Sequence, residues 1–325
     1  MVDQGMRKLR DRENEHQIIK QFQKGEPMMV TVRTAGAKQV LIWCGHVSQG
    51  LCDESSAGEA LRTFTVIVHR FLALAPVRER ATMHRMRTLA IGDIHGCSTA
   101  LRKLLDEVQP GKDDIVVTLG DYVDRGPGSK AAMEMVLELE RTTQLKPLTG
   151  NHEILFTEAA AGRLPVENWL AVGGRETMAS YTGGDSWDMQ AVPKEHLEFL
   201  NERCLRYWDA EKHFFVHANV NAVLTLEEQP DDWLFWTRFE NSYPHVSGKM
   251  MICGHTAQKE GLPVIRPQAI CIDTWAYGGG WLTCMDVGAG TFLQTNEAGE
   301  KRQLSIEELR VPTMGAMTQP LAPGE

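Results

Sequence analysis

The stretch LGDYVDRG, residues 119–126, follows the apolar run IVVTL at residues 115–119, which is typical of a buried β-strand. Two aspartates and an arginine, Asp121, Asp124 and Arg125, crowd together directly after that strand. Carboxylates at the edge of a core are costly unless something compensates their charge. We therefore expect a compensating charge where this strand ends.

The regions on either side of this stretch alternate between strand and helix patterns. Strands are predicted at residues 88–91, 115–119 and 145–148, and helices at residues 98–108 and 129–140. This alternation favours an α/β fold. Farther along the chain, short strand patterns separated by glycine-rich turns predict a second, more antiparallel sheet. They occur at residues 207–208, 213–216, 250–253, 270–273, 281–287 and 292–295.

Motifs that pair glycine or alanine with a metal-ligand type follow these strands in order. They are GDIHG at 92–96, GDYVDRG at 120–126, GNHE at 150–153, HAN at 217–219 and GHT at 254–256. In open α/β sheets, binding sites form outside the carboxyl ends of the strands. The motifs supply oxygen and nitrogen ligands without sulfur, which is a donor set for a two-metal centre. The candidate ligands are Asp93, His95, Asp121, Asn151, His217 and His255.

Each motif alone has an ordinary structural interpretation. An aspartate after a strand, such as Asp93, is more often a turn residue or a helix cap. A single histidine such as His217 is more often a hydrogen-bonded core residue. These interpretations fail only for the whole set, because the motifs come in order after predicted strands.

GDIHG, GDYVDRG, GNHE and GHT resemble the signatures of the phosphoprotein phosphatase family, which lies within the calcineurin-like metallophosphoesterases. The resemblance covers about residues 86–295. It implies an α/β fold of two packed mixed β-sheets flanked by helices. It also implies a phosphoester hydrolase with two divalent metal ions, for which Mn²⁺ is expected and iron or zinc are alternatives.

The resemblance implies a role for each matched residue. Asp93 and His95 hold the first metal ion, Asp121 bridges both ions, and Asn151, His217 and His255 hold the second. The implied reaction is attack of a metal-bound hydroxide on phosphorus.

The resemblance also implies the groups that handle the proton and the phosphate. His152 is the general acid that protonates the leaving oxygen, and Asp124 keeps it protonated. Arg125 and Asn151 bind the phosphate oxygens. A further arginine is expected before the GHT motif, and Arg238 of the sequence Trp-Thr-Arg is the candidate.

The chemistry agrees with these roles independently of the resemblance. Two metal ions about 3.5–4 Å apart make hydroxide available at neutral pH and stabilise the entering and leaving oxygens. Arginine binds phosphate oxygens through two parallel hydrogen bonds. A histidine held by a carboxylate can donate a proton near neutral pH.

Three functions remain open, of which the sequence favours a serine/threonine protein phosphatase. The alternative is a symmetrical diadenosine tetraphosphatase or a related nucleotide or RNA-end phosphohydrolase. A non-catalytic phosphate-binding module is the weakest alternative, because every expected ligand is present.

Particular positions bear on this choice. Asp124 and Glu153 favour the protein phosphatase, because the dinucleotide branch often carries alanine and aspartate there. In contrast, residues 126–129 and 278–281 resemble the dinucleotide branch. The family pattern Ile-Asp-Thr-Gly departs to Ile-Asp-Thr-Trp at residues 272–275, which puts the substrate rim in doubt but not the metal ligands.

Composition and charge narrow the partners. The chain of 325 residues has a net charge of −9, and the excess of acidic residues lies beyond residue 85. An acidic body lacks the basic face that duplex nucleic acid requires. The expected partner is therefore a phosphorylated protein or a small phosphoester, and the oligomeric state is left open.

Two further features predict the environment of the protein. No apolar run reaches the roughly 20 residues that span a bilayer, so no membrane association is expected. The seven cysteines are scattered without a CxxC motif. They predict reduced thiols and a cytoplasmic location.

The chain divides into three predicted regions. Residues 1–85, with short strand patterns at 29–33 and 40–44, are either an N-terminal accessory region or lie upstream of a translation start at Met86. Residues 86–311 form the predicted catalytic domain. Residues 312–325 form a predicted flexible tail.

Overall fold

The computed structural model describes residues 86–184 and 188–310 in full, and the backbone of two strands at residues 28–33 and 39–44. The chain divides into two compact units, residues 1–81 and 82–325. In the first unit, β1 (Met28–Arg33) pairs antiparallel with β2 (Gln39–Cys44), which confirms the strand patterns predicted there. The predicted tail lies outside the described residues.

The second unit contains the predicted alternation of strands and helices. Its described strands are β3 (Thr88–Ile91), β4 (Ile115–Thr118), β5 (Gln144–Pro147), β6 (Tyr207–Asp209), β7 (His213–Val216), β8 (Met250–Cys253), β9 (Val264–Arg266), β10 (Ala269–Cys271), β11 (Leu282–Asp286), β12 (Thr291–Thr295) and β13 (Lys301–Ser305). Its described α-helices are α1 (Ser98–Val108), α2 (Ser129–Thr142), α3 (Asn151–Ala160), α4 (Val166–Trp169), α5 (Arg175–Thr182), α6 (Lys194–Glu198), α7 (Asp231–Phe235) and α8 (Ile306–Arg310). Helices α4 and α6 continue into π-helical turns at Leu170–Gly174 and Phe199–Arg203.

Local sequence explains the first elements. Strands β3 (TLAI) and β4 (IVVT) are mostly apolar and are buried along almost their whole length, which is typical of strands inside a parallel sheet. In α1, Ala100, Leu101 and Leu104 are buried at helical spacing. The predicted bounds of α1 are confirmed, and α2 runs slightly beyond its predicted end.

The first sheet places several strand ends at one edge. Its order is β13-β12-β11-β3-β4-β5, and β3, β4 and β5 are parallel. Strand β11 joins β3 in antiparallel orientation and carries β12 and β13 beyond it. Because β3, β4 and β5 run in one direction, the loops that follow them emerge side by side.

The second sheet differs from the prediction. Its order is β6-β7-β8-β10-β9, and its three central strands β7, β8 and β10 are parallel, with antiparallel strands only at the edges. The prediction of a more antiparallel second sheet was wrong, because the antiparallel strands β11–β13 extend the first sheet instead. Strand periodicity identifies strands but does not assign them to a sheet.

Alternating side chains build the layers of the second unit. Ala90 and Val117 of the first sheet pack with Phe215 and Ile252 of the second sheet, forming a core between the sheets. On the outer face of the first sheet, Leu89, Ile91 and Val116 pack against residues of α1 and α2. On the outer face of the second sheet, Phe214 and Met251 pack against Leu234 and Phe235 of α7. Two mixed sheets flanked by helices confirm the predicted fold class.

Two predictions about the environment concern these same residues. Within the described residues, no helix combines the length and the apolar character that crossing a membrane requires. Five cysteines in the described residues are free thiols, and Cys253, Cys271 and Cys284 are buried in strands.

Candidate metal centre

The six predicted metal ligands converge where strands of both sheets end. Asp93 and His95 follow β3, Asp121 follows β4, Asn151 opens α3 after β5, His217 follows β7 and His255 follows β8. All are buried except His255, which is partly exposed. The parallel strand ends thus bring together residues that are far apart in sequence.

Asp121 lies at the centre of this cluster. Ligand atoms of Asp121, His95 and His152 lie within 4.8 Å of one another, and so do those of Asp121, His217 and His255. His95 Nε2 lies 3.3 Å from Asp121 Oδ2, whereas His217 Nε2 lies 3.5 Å from Asp121 Oδ1. One carboxylate therefore faces both groups with different oxygens, as a bridging ligand does.

Hydrogen-bond acceptors face one another at Asn151. His217 donates from Nδ1 to the Leu119 carbonyl oxygen at 2.8 Å, so the lone pair is on Nε2. Burial lowers the pKa of His217, which keeps this ring neutral. Its Nε2 nevertheless lies 2.9 Å from Asn151 Oδ1, which is also an acceptor. A cation bound to both atoms would resolve this contact.

His255 repeats the arrangement on the other side of Asn151. Its Nε2 donates to the Trp236 carbonyl oxygen at 3.2 Å, and its Nδ1 lies 2.9 Å from the same Asn151 Oδ1. Burial and the neighbouring His217 lower the pKa of His255 to about 4. Three neutral acceptors therefore converge beside the Asp121 carboxylate.

Two buried aspartates at the site, Asp93 and Asp273, lack a compensating positive charge in the described part of the chain. Asp93 Oδ1 has no hydrogen-bond partner among the described residues, whereas its Oδ2 accepts from the His255 N–H at 2.9 Å. Burial, with nearby Asp273 and Asp121, raises the pKa of Asp93 well above its usual value. Burial likewise raises the pKa of Asp273 to about 7. Such carboxylates are unfavourable inside a protein unless a cation neutralises them.

These residues fit divalent cations. Carboxylate, amide and imidazole donors without sulfur suit ions such as manganese, iron or zinc. Gly254 leaves room beside the orphaned oxygen, because a Cβ atom at this position would collide with Asp93 Oδ1. The facing acceptors and the unpartnered Asp93 oxygen are what a chain built to hold cations presents.

His152 and Asp124 form a buried pair beside the cluster. His152 Nδ1 lies 2.7 Å from Asp124 Oδ2, which leaves Nε2 for another partner. Burial opposes charge on His152, but Asp121 and Asp124 raise its pKa above the usual value. The rings of His152 and His95 meet edge-on with centroids 4.8 Å apart. A histidine disposed to carry a proton therefore lies next to the candidate metal ligands.

Arg125 brings positive charge to the same place. Its Nη1 donates to His95 Nε2 at 2.9 Å. Its guanidinium lies over the Tyr277 ring, 4.6 Å from the centroid, and that ring meets His95 edge-on. The two contacts hold a partly exposed guanidinium beside His95, one of the candidate metal ligands.

The Arg238 side chain pairs with an exposed glutamate and not with the other predicted site residues. Its side chain is 63% exposed, and its Nη2 donates to Glu240 Oε1 at 3.0 Å. The Arg238 carbonyl oxygen accepts from Asn219 Nδ2 at 2.9 Å, which anchors this loop near the end of β7. The structure thus places the Arg238 loop beside the site and directs its side chain toward Glu240.

Glu153 ties two ligand loops together. Its Oε2 accepts from the backbone N–H groups of Asp121 at 2.7 Å and Gly150 at 2.9 Å, and its Oε1 accepts from that of Tyr122 at 2.8 Å. One buried side chain therefore fixes the loop that carries Asp121 against the loop that carries Asn151.

The backbone of the site is strained. Five of the predicted site residues have φ angles between 44° and 72°, in the left-handed region. They are His95, Asp121, Asp124, Arg125 and His255. This conformation costs a non-glycine residue about 1–2 kcal/mol and is concentrated at functional sites.

Several residues at the site were not predicted from the sequence. Asp273 follows β10 as Asp93 follows β3, so the strand-end rule that found Asp93 could also have found Asp273. Trp169 and Thr177 donate hydrogen bonds to Asp124 from a helical segment that carries no motif. No local signal in the sequence indicates these two contacts.

Comparison with known proteins gives the same class. Residues 86–259 match the model of the calcineurin-like phosphoesterase family. Over 201 residues the chain is 35% identical to serine/threonine-protein phosphatase 1 of Salmonella typhimurium, which covers 59% of this chain and 88% of that relative.

Other relatives match a shorter part of the chain. A symmetrical bis(5'-nucleosyl)-tetraphosphatase of Janthinobacterium sp. is 30% identical over 158 residues, 46% of this chain and 54% of that relative. The chain thus spans about half the length of this tetraphosphatase and of one from Acidovorax ebreus. The solved structure of a putative diadenosine tetraphosphatase is 18% identical, with a TM-score of 0.48, and covers 68% of this chain and 93% of that one.

The fold, the cluster of acceptors and the family match define a calcineurin-like metallophosphoesterase domain. The chain belongs to the calcineurin-like phosphoesterase family, whose members use divalent metal ions.

Proposed function

We propose that this protein is a metal-dependent phosphomonoester hydrolase, and specifically a serine/threonine protein phosphatase. One observation carries the proposal. The His152–Asp124 pair and the Arg125 guanidinium lie beside a cluster of acceptors that fits divalent cations. Proton donor, anion-binding group and cation site are the parts that hydrolysis of a phosphate ester requires.

The ligands would divide between two cations. Asp93 and His95 would hold one cation, Asn151, His217 and His255 would hold the other, and Asp121 would contribute to both. The orphaned Asp93 oxygen and the acceptors facing Asn151 support this division. When bound, the cations supply Lewis-acid activation of water and neutralise charge on the phosphoryl oxygens. Mn²⁺ is the proposed ion, with iron and zinc as alternatives.

The side chains of the protein bind the phosphate and move the proton. Arg125 holds phosphate oxygens through its planar guanidinium, and Asn151 Nδ2 donates a further hydrogen bond. His152 Nε2 gives its proton to the leaving oxygen, while Asp124 stabilises the charged imidazole through Nδ1–H. Arg238 supplies a second guanidinium when a phosphate draws it away from Glu240.

Two positions support the protein phosphatase over a dinucleotide hydrolase. Asp124 and Glu153 stand where the dinucleotide branch often carries alanine and aspartate. Both are engaged here, since Asp124 accepts from His152 and Glu153 holds the Asp121 loop. A relative of which the match covers 88% is named serine/threonine-protein phosphatase 1.

A symmetrical diadenosine tetraphosphatase is the second candidate. Several relatives carry that name, although the match covers only about half of the length of two of them. The aromatic residues Trp275 and Tyr277 on the rim of the site, whose rings are 6.4 Å apart, also favour it, because they could lie against a nucleobase.

Side-by-side hydrolysis of a phosphoserine peptide and of diadenosine tetraphosphate tests the choice. The full chain is loaded with Mn²⁺, and kcat/KM is measured for both substrates. We expect the phosphopeptide to be the better substrate by about 10-fold or more, a difference that transition-state contacts can supply. A reversed ratio would establish the dinucleotide hydrolase. If neither substrate nor p-nitrophenyl phosphate is hydrolysed while Mn²⁺ is bound, the protein is a phosphate-binding module.

Elemental analysis of protein purified without added metal tests the cation assignment. We expect about two equivalents of a divalent metal per chain. Fewer than one equivalent, with no uptake of Mn²⁺, iron or zinc on titration, would contradict the two-cation site.

We also propose a cytoplasmic location for this protein. The free thiols at all five described cysteines support it.

A further inference from the structure

The Asp124 carboxylate is held by more than its histidine partner. It is fully buried, its backbone lies in the left-handed region at φ 72°, and its Oδ2 faces His152 Nδ1. A carboxylate can rotate about its side-chain torsions, so one hydrogen bond to a mobile imidazole does not fix its orientation. Further contacts must decide where Oδ2 points.

Thr177 locks Asp124 from two directions. Its Oγ1 accepts from the Asp124 backbone N–H at 2.8 Å and donates to Asp124 Oδ1 at 2.7 Å. One hydroxyl thus connects the two ends of the same residue, and Ser129 Oγ lies 3.1 Å from it. Because Thr177 occupies Oδ1, Oδ2 remains the oxygen that faces His152.

Trp169 completes the support from the other side. Its Nε1 donates to both Asp124 oxygens, at 3.0 Å and 2.9 Å. The indole is fully buried and stacks on Phe156 with centroids 4.7 Å apart and planes 12° apart, so it cannot turn away easily. The shared hydrogen bond from the indole N–H keeps both carboxylate oxygens directed toward Trp169.

The same segment also holds the neighbouring arginine. Trp169 and Thr177 flank the π-helical turn at Leu170–Gly174, and the Gly173 carbonyl oxygen accepts from the Arg125 N–H at 3.2 Å. Gly173 has a φ of 124°, and a Cβ atom there would press against the Arg125 backbone. The segment therefore grips both residues of the Asp124-Arg125 step.

We propose that Trp169 and Thr177 are positioning residues for proton transfer to the leaving group. They hold the Asp124 carboxylate so that its Oδ2 keeps His152 Nδ1–H in place and His152 Nε2 aimed at the leaving oxygen. The inference rests on the proposed phosphoester hydrolysis. It adds that residues 166–182, which lack a recognisable motif, set the efficiency of the acid step.

A purely structural role makes a different prediction. If Trp169 and Thr177 only fill the core, their loss lowers the activity toward all substrates alike. If they orient the acid, their loss matters most when the leaving group is a poor one, because a good leaving group departs with little help from a proton. The dependence on the leaving group therefore separates the two roles.

The test compares four variants of the full, Mn²⁺-loaded protein. Thr177→Val removes the hydroxyl at nearly constant size, and Thr177→Ser restores it. Trp169→Phe removes the indole N–H but keeps an aromatic ring on Phe156, and Phe156→Leu disturbs that stacking while leaving the N–H. The value of kcat and of KM is measured for p-nitrophenyl phosphate and for phenyl phosphate, which has the poorer leaving group.

We expect Thr177→Val and Trp169→Phe to lose about 10-fold or more in kcat on phenyl phosphate, but less than about 3-fold on p-nitrophenyl phosphate. KM should change little, because neither residue touches the substrate. Thr177→Ser should keep the wild-type ratio between the substrates, and Phe156→Leu, which loosens the indole but keeps its N–H, should change that ratio less than Trp169→Phe does. In an Asp124→Asn background, Thr177→Val should cause no further selective loss.

Several outcomes would overturn the inference. Equal losses on both substrates, unchanged kcat in folded Thr177→Val, or a loss in Thr177→Ser as large as in Thr177→Val would each do so. Thermal melting verifies that each variant is folded, and if Thr177→Val is not, Trp169→Phe and Thr177→Ser decide. Wild-type protein that binds Mn²⁺ but hydrolyses neither ester would instead overturn the proposed function.

Discussion

Buried carboxylates lie at both ends of the strand pair β3 and β4, but their hydrogen-bond partners differ between the two ends. At the amino end, Asp114 accepts from the backbone N–H, Nε and Nη2 of Arg87 and from the Gly111 N–H. At the carboxyl end, Asp93 has an oxygen with no partner among the described residues, and Asp121 faces imidazoles.

The pKa values of Asp114 and Asp93 express the same contrast. Burial opposes the charge on Asp114, but Arg87 and the Gly111 N–H lower its pKa to about 2. Burial and neighbouring carboxylates raise the pKa of Asp93 well above its usual value. A buried carboxylate that the chain itself neutralises is structural, whereas one that the chain leaves unneutralised is prepared for a ligand.

The largest expected effect is at the centre of the unneutralised end. Asp121→Asn removes the carboxylate that faces both groups of ligands, so both cations should bind poorly. Activity on p-nitrophenyl phosphate should fall by at least about 1,000-fold, together with the metal content. Elemental analysis and kinetics measure both. Asp209→Asn, an exposed aspartate paired with Lys249, is the matched control and should change neither. Full activity in Asp121→Asn would contradict the shared-ligand role.

His152→Asn separates the proton donor from the cation site. We expect kcat on phenyl phosphate, which has a poor leaving group, to fall by about 100- to 10,000-fold, because the leaving oxygen loses its general acid. The metal content should stay close to that of the wild type, since His152 is proposed as an acid rather than a ligand. Loss of one metal equivalent would instead assign His152 to the group of His95 and Asp121, whose ligand atoms lie close to its own.

At the neutralised end, Asp114→Asn should weaken folding in a pH-dependent way. The pKa of Asp114 is lowered in the folded state, so its stabilising charge is present above its usual pKa and is lost as the pH falls toward 2. We expect the variant to lose about 2 kcal/mol of unfolding free energy at pH 7. Urea unfolding of both proteins at several pH values measures this difference, which should shrink between about pH 4 and pH 2. A difference that stays constant with pH would show that packing, not charge, is responsible.

The smallest effect has the opposite sign. Asp93→Asn replaces an unneutralised carboxylate, so metal-free protein should gain about 1 kcal/mol in unfolding free energy. Thermal melting in the presence of a chelator measures this gain. Added Mn²⁺ should raise the melting temperature of the wild type more than that of Asp93→Asn, because a ligand has been removed. Destabilisation of the metal-free variant would mean that the carboxylate is satisfied by the protein after all.

The sequence predicted the parts of the structure that depend on local patterns. Buried runs and helical spacing identified β3, α1 and β4, and the rule that sites form at strand ends predicted that Asp93 and Asp121 lie close together. The predictions of these strands and of α1 are confirmed, because each depends on residues close in the chain.

The parts that failed depend on contacts between distant segments. The assignment of β11–β13 to the first sheet depends on pairing with β3, almost 200 residues earlier in the sequence. The hydrogen bonds from Trp169 and Thr177 to Asp124 likewise join segments that no motif connects. The orientation of the Arg238 side chain, by contrast, depends on a local pairing with exposed Glu240, and the role of Arg238 in binding phosphate stays a prediction.

The left-handed backbone at five site residues has a consequence for protein design. Glycine would adopt the left-handed backbone at each of these positions at a lower conformational cost. It would, however, remove the side chain that the chemistry needs. A short peptide carrying GDYVDRG would therefore relax into another shape, because nothing in it opposes that relaxation. To graft this centre onto another scaffold, Glu153 must be transferred together with the loops. Its hydrogen bonds to the loop backbone hold the left-handed conformation, which the motif alone does not stabilise.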